Sequence, residues 1–348
     1  MNPVTKPLLG VLNGAAVWPP PIWLMRQAGR YLPEYRTIRA QAGDFITLCT
    51  SPTLACEVTL QPIRRFRFDA AILFSDILIL PWALGQGLAY QEGEGPVMPP
   101  LRDAAGIAAL DPGRVAAAVA PVMETVGRVR AGLKAEGFDT TALIGFAGAP
   151  FTVACYMVEG HGSRDFAAVR GLAYADPALF ARLIDTVTEA TIAYLAMQAA
   201  AGAEVLMLFD TWAGILSPSQ FRTQVIEPVS KIVRALRVRC PGIPIIAFPR
   251  LAGLMLGEFV RATGVDAVGV DASTDMTMAA ATVSPSVTLQ GNLDPLALVA
   301  GGQALETETA AILSAMRGRS FVFNLGHGIV PQTPIGHVAR LTELVRAG

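Results

Sequence analysis

The chain is poor in charge, histidine and cysteine, and each shortage excludes something. Charged residues make up 16 % of it, the net charge is −1 and the pI is near 6.3, whereas ordinary soluble domains carry roughly 25 % charged residues. A near-neutral chain offers no broad basic face to phosphates, so nucleic-acid binding and membrane-surface binding drop out. Three histidines (His161, His327, His337) and four cysteines (Cys49, Cys56, Cys155, Cys240) show no Cys-x-x-Cys or His-x-Cys spacing. That removes the signature of a structural zinc and leaves the cysteines as small core residues. No Gly-x-Gly-x-x-Gly follows an early strand, which counts against a dinucleotide-binding open sheet. Met1–Gly10 holds Pro3 and Pro7 and no apolar run, so no secretory signal is expected. Ala70–Tyr90 is broken by Asp76 and Pro81, and Thr140–Val158 by Gly145, Gly148 and Pro150. Both fall short of the roughly 18 uninterrupted apolar residues a membrane span needs. A cytoplasmic protein without a membrane partner is the expectation.

What the chain has in plenty is apolar sequence, 52 % of its 348 residues, enough for a large core and a buried subunit interface. Short apolar runs recur at Ala70–Phe74, Ala142–Phe146, Glu204–Phe209, Ile243–Phe248, Ala267–Val270, Val287–Gln290 and Phe321–Asn324. Between them lie helical patterns at Val115–Glu136, Pro177–Gly202, Gln220–Arg239, Leu296–Arg317 and Pro334–Arg346. Strand alternating with helix predicts βαβ units and a parallel sheet. Seven strands are visible, and an eighth is expected within Val11–Trp18 or Leu88–Val97. No linker or fixed-period repeat divides the chain, so residues 1–348 read as one domain, an eight-stranded (β/α) barrel. Such a barrel places its chemistry on the loops after the strands. Those strand ends carry Ser75-Asp76, Phe146-Ala147-Gly148-Ala149-Pro150, Asp210-Thr211-Trp212, Pro249-Arg250, Asp271, Gly291-Asn292, Asp294 and Gly326-His327-Gly328.

The densest charge lies in Pro21-Ile22-Trp23-Leu24-Met25-Arg26-Gln27-Ala28-Gly29-Arg30-Tyr31-Leu32-Pro33-Glu34-Tyr35-Arg36. From Ile22 to Arg39 four arginines face one glutamate, a local charge of +3. Guanidinium groups on irregular backbone suit carboxylates or phosphates, which they grip through paired hydrogen bonds. Charge clusters are commonly just solvated surface, but the interleaved Trp23, Met25, Tyr31 and Tyr35 favour a ligand site. Asp76, between Ile72-Leu73-Phe74 and Ile77-Leu78-Ile79-Leu80, reads as a functional carboxylate ahead of a helix cap. Tyr156 alone is a weak signal, since a tyrosine in an apolar helix is more often core. Thr211 suits capping or donation, and the glycines beside His327 let a ligand approach. Arg64, Arg65 and Arg67 read as surface charges, His161 and His337 as surface or capping residues. Asp210, Asp266, Asp271 and Asp294 offer either a divalent cation site or, more commonly, turns and caps.

Taken in order along the chain, these segments resemble the uroporphyrinogen decarboxylase family. The arginine segment is similar over its whole length to the family's N-terminal motif, and Gly145-Phe146-Ala147-Gly148-Ala149-Pro150-Phe151-Thr152-Val153-Ala154-Cys155-Tyr156-Met157-Val158-Glu159-Gly160 to its second. Phe74-Ser75-Asp76-Ile77-Leu78, Phe209-Asp210-Thr211-Trp212-Ala213-Gly214, Gln290-Gly291-Asn292-Leu293-Asp294-Pro295 and Asn324-Leu325-Gly326-His327-Gly328 continue the likeness. The resemblance implies a distorted barrel, a homodimer, and removal of carbon dioxide from the four acetate arms of uroporphyrinogen III without a cofactor or metal. It also implies that Arg26, Arg30 and Arg39, with Gln27, Ala28 and Gly29, receive substrate carboxylates. Asp76 would accept the pyrrole N–H groups, Tyr156, Thr211 and His327 would complete the contacts, and Phe146 and Phe209 would line the pocket. Asp76, Arg26 and Arg30 are the catalytic expectation. Pro249-Arg250-Leu251 departs from the resemblance, which implies a lysine and a glycine there. Two other readings compete: a zinc- and corrinoid-dependent methyltransferase on the same barrel, and a tetrapyrrole-binding protein without activity.

Overall fold

The computed structural model describes residues 6–91 and 95–348. The first five residues, on which the reading of the chain's start partly rests, lie outside the described residues, as do 92–94 within the Leu88–Val97 expectation.

All seven expected runs are strands: β1 (Ala70–Ile72), β4 (Ala142–Gly148), β5 (Val205–Asp210), β6 (Ile245–Pro249), β7 (Ala267–Gly269), β8 (Thr288–Leu293) and β9 (Phe321–Leu325). They form one parallel sheet in that order, curled into a distorted (β/α) barrel with helices outside. β4 and β5 are buried along their whole length, as strands covered on both faces must be. The remaining two strands, β2 (Ala89–Gln91) and β3 (Gly95–Val97), pair antiparallel as a separate hairpin.

Neither expected location supplies the eighth barrel position. The start of the arginine segment does. Ile22 bridges Phe323 of β9 in parallel, with the Phe323 N–H donating to the Pro21 carbonyl and the Trp23 N–H to the Phe323 carbonyl. On its other edge the Asp69 N–H donates to the Ile22 carbonyl, and the Ile22 N–H to the Asp69 carboxylate at 2.8 Å. Three residues hold the seam between the last strand and the first. Prolines at 19, 20 and 21 break the β pattern that would have flagged it. Trp23, fully buried, anchors the seam by donating its indole N–H to Gln290 Oε1 at 3.0 Å.

Three long helices break where backbone chemistry requires it. The Val115–Glu136 pattern is two pieces, Val115–Ala118 and Ala120–Ala135, with Pro121 unable to donate across the join. Gln220–Arg239 becomes Pro218–Phe221, a π-helical turn Arg222–Ile226, and Glu227–Arg239, with Pro228 just past the turn. Leu296–Arg317 divides into Pro295–Ala300 and Gly302–Met316 at Gly301. Gly301 has φ 67°, and a Cβ there would sit 2.2 Å from the His337 ring. His337 also bonds the Leu298 carbonyl at 3.0 Å, so its role is structural.

The end where the strands begin is closed for stability. Helix Pro7–Leu12 buries Leu8 and Val11, and Thr288 donates to the Val11 carbonyl. Three carboxylates just before strands accept an N–H near the start of a neighbouring strand or segment: Asp69 from Ile22, Glu204 from Leu143, Asp266 from Ile245. Lys6 pairs with Glu204 and Arg237 with Asp266, each at 2.7 Å. Asp266 therefore belongs to the base of the barrel and not to its mouth.

Candidate active site

At the opposite end, the arginine segment leaves the seam held from both sides. The Met25 N–H donates to Asn324 Oδ1 at 2.9 Å and the Ile329 N–H to the Met25 carbonyl. Gln27, fully buried, accepts from the Leu24 N–H and donates to the Ala70 carbonyl. Its amide is thus spent on fastening the loop to β1 and does not face the mouth. Between these anchors Arg26 adopts φ 62°, a left-handed conformation that costs a non-glycine residue roughly 1 kcal/mol. That turn throws its side chain out over the mouth, across Gly328. A Cβ on Gly328 would lie 2.4 Å from Arg26 Cδ. Ala28 and Gly29 are the half-buried backbone of the same loop, and Arg30 is exposed beyond them.

Asp76 follows β1 in a tight turn where its Oδ1 accepts the Leu78 N–H at 2.8 Å. Burial pushes its carboxyl above the usual carboxylate range, while the Leu78 N–H, the Tyr90 hydroxyl and Arg26 pull the other way. Tyr156, on the helix Pro150–Glu159 after β4, is raised by burial and lies in the field of the Trp212 indole, Asp76 and Arg26. Arg26, Asp76 and Tyr156 therefore lie close enough for their charges to act on one another. His327 joins them from the loop after β9. Burial, then Arg26 and Arg250, push its pKa down to about 4, so the ring is neutral at physiological pH. Its Nδ1 accepts the Gly328 N–H at 2.7 Å, which assigns the ring proton to Nε2. The mouth thus gains a neutral N–H donor.

Phe146 and Phe209 meet edge to face at 5.5 Å on neighbouring strands. Thr211 stands half-exposed after β5. Arg39, in the last turn of the helix Pro33–Ala42, donates to the Gly43 carbonyl, its guanidinium 5.9 Å from the Phe45 ring. Among the described residues Arg26, Arg30, Arg39 and Arg250 form no ion pair, whereas Arg64 and Arg65 pair on the surface with Glu57, Glu136 and Glu34.

The remaining aspartates are occupied locally. Asp294 caps its helix, and Asp271 accepts the Leu251 and Ser273 N–H groups. Asp210 accepts the Thr152 hydroxyl at 2.5 Å, and burial pushes it up to about 7. Among the described residues no three His, Cys, Asp or Glu side chains converge.

The family model described as uroporphyrinogen decarboxylase (URO-D) matches residues 4–348. The chain belongs to the uroporphyrinogen decarboxylase family. A relative of that name from Gluconacetobacter diazotrophicus is 58 % identical over 99 % of both chains. Another, from Acidiphilium cryptum, is 59 % identical over 98 % of this chain and 94 % of its own. Among solved structures, a methyltransferase from Methanosarcina mazei superposes with a TM-score of 0.76 at 20 % identity, over 97 % of this chain and 96 % of its own. That likeness concerns the barrel.

Two mouth residues escaped the sequence reading of this family member. Tyr90, on the β2–β3 hairpin, packs its ring 4.5 Å from Phe45 and brings a buried hydroxyl near Asp76. A tyrosine in a short, glycine-flanked stretch gives no periodic signal, so only the folded hairpin reveals it. Arg250 stood among the strand ends but not among the site residues, although it shares the field around His327 with Arg26.

Proposed function

We propose that this chain decarboxylates the four acetate arms of uroporphyrinogen III to methyl groups, giving coproporphyrinogen III in tetrapyrrole biosynthesis. The observation that carries the reading is Asp76 after β1, its Oδ1 held by the Leu78 N–H at 2.8 Å, beside a mouth where Arg26 forms no ion pair among the described residues. Losing carbon dioxide leaves an electron pair on carbon. A pyrrole protonated at a ring carbon accepts that pair itself, so the substrate supplies its own electron sink and the reaction requires no cofactor. Asp76 accepts the pyrrole N–H groups and stabilises the cationic ring, strongly so in a dry pocket. Arg26, Arg30 and Arg39 hold arms that are not reacting. An ion pair on the departing carboxylate would stabilise the ground state more than the transition state. Tyr156, Thr211 and the His327 Nε2–H orient the macrocycle, with Phe146 and Phe209 against its apolar face.

We further propose a single catalytic domain that works as a homodimer in the cytoplasm without a membrane partner. Leu254 is fully exposed on the turn after β6, and Leu251, Met278 and Leu296 stand exposed on neighbouring rim segments. Such an apolar rim suits a second copy of the chain. Four free thiols suit a reducing compartment. The test is anaerobic turnover of uroporphyrinogen III with product carboxylates counted over time. Absence of carbon dioxide release with tight tetrapyrrole binding would move the chain to the binding-protein reading.

A further inference from the structure

The mouth has a second side, where the loop after β6 supplies a cation of its own within the field of Arg26. Around the barrel the order runs from the Pro21–Trp23 seam through β1, β4, β5 and β6, so β6 stands three places from β1 and nearly opposite Asp76. There Arg250 opens onto a cavity of about 330 Å³ bounded by Leu251, Asp271, Ser273, Pro295 and His327 among others. The backbone that presents it is over-determined. The Arg250 N–H donates to the Asp210 carbonyl, and its own carbonyl accepts from the Gly214 N–H. Leu251 is held at φ 60° by its N–H donating to Asp271 Oδ2 at 2.9 Å. A side chain on Gly214 would strike Leu251 Cβ at 2.3 Å, so the two loops fit only as they are. Left-handed backbone at a non-glycine residue is costly and persists where the surroundings impose it, commonly at ligand sites.

Charges along the cavity leave Arg250 unsatisfied. Asp271 spends Oδ2 on Leu251, and Oδ1 on the Ser273 N–H and hydroxyl. Asp294 is exposed to water and caps the Leu296 N–H. Burial works against the Arg250 cation, Asp271 supports it and Arg26 opposes it, so an incoming anion would favour the charged form. His327 adds its Nε2–H at the same wall.

We propose that Arg250, with the His327 Nε2–H beside it, forms a second carboxylate subsite that holds an arm of the macrocycle remote from Asp76. The inference rests on the decarboxylase reading and extends it. An arm so held keeps its contact in ground and transition states alike, so the subsite contributes uniform binding. One charge-assisted, forked contact corresponds to about tenfold or more in affinity.

The experiment compares wild type, Arg250→Gln and Arg250→Lys in anaerobic turnover of uroporphyrinogen III. The bonds that Arg250 itself makes within the loop use its backbone N–H and carbonyl, so all three chains should unfold at nearly the same temperature. Arg250→Gln should raise KM about tenfold or more with kcat within about threefold, and Arg250→Lys should fall between. Unchanged KM in Arg250→Gln, with active wild type, overturns the subsite and leaves the decarboxylase reading standing. A fall in kcat at unchanged KM also overturns it, by placing Arg250 at the reacting arm. Inactive wild type would instead sink the reading beneath it.

Discussion

Gly326 and Gly328 flank His327, and alanine should affect them in opposite ways. At Gly328 the new Cβ would lie 2.4 Å from Arg26 Cδ, 2.7 Å from its Cγ and 3.0 Å from its Nε. Carbon atoms rest about 3.5 Å or more apart, so the Arg26 stem must retreat by roughly 1 Å. The stem is flexible and its end exposed, so folding should be little affected. The guanidinium moves with it, however, and a misplacement of about 1 Å at a reacting centre costs up to about a hundredfold in rate. Gly328→Ala should therefore lower kcat/KM by about ten- to a hundredfold while the melting temperature moves little. At Gly326 the Cβ would meet the backbone nitrogen of Ala272 at 2.2 Å. Backbone in the loop after β7 has nowhere to go, and overpacking of this kind costs about 1–3 kcal/mol. Gly326→Ala should melt several degrees lower. Turnover measured alongside thermal unfolding separates the two. Should Gly328→Ala keep more than half of wild-type kcat/KM with its fold intact, Arg26 is not held where its position matters.

Asp76→Asn should bind substrate yet lose turnover by about a hundredfold or more, read from carbon dioxide release at saturating substrate. Near-normal turnover would remove the cation-stabilising role. Asp210 should make stability fall with rising pH. Its folded pKa of about 7 lies above the ordinary value of 3.8, so the folded state holds the proton more tightly and the contribution is lost as pH rises towards 7. Relative to Asp210→Asn, wild type should lose about 3 kcal/mol between pH 4.5 and 8, measured from urea unfolding at each pH. Parallel pH profiles for the two chains would show that Asp210 is ionised throughout. Gln27→Ala leaves the buried Leu24 N–H without its acceptor and should cost about 2–3 kcal/mol in urea unfolding, with activity lost as the Arg26 loop loosens. An unchanged urea midpoint would mean that the loop is held without it.

Much of the barrel was legible because burial on both faces makes each strand a short apolar run, and seven such runs stand where expected. Boundaries of long helices were less so, since Pro121, Pro228 and Gly301 break patterns that apolar periodicity alone continues. The seam was hidden for a related reason. Pro21–Trp23 is too short and too rich in neighbouring proline to read as a strand, and it qualifies only through partners some fifty and three hundred residues away. Among the mouth residues, Tyr156 stood out only through the family resemblance, Asp76 and His327 by chemistry at strand ends, and Arg26 by its arginine-rich loop. Gln27 shared that setting, yet its amide turned inward.

The sequence by itself determined the parallel strands, the loops that carry polar residues and the family, because hydrophobic period and local motif are properties of neighbouring residues. Tertiary structure alone decided that the arginine segment is also the barrel's eighth element. It placed the Arg26 stem on Gly328, sent Asp266 to the base and set Arg250 across the mouth from Asp76. Each of these depends on which distant backbone lies within a few ångströms, and no local pattern encodes that distance.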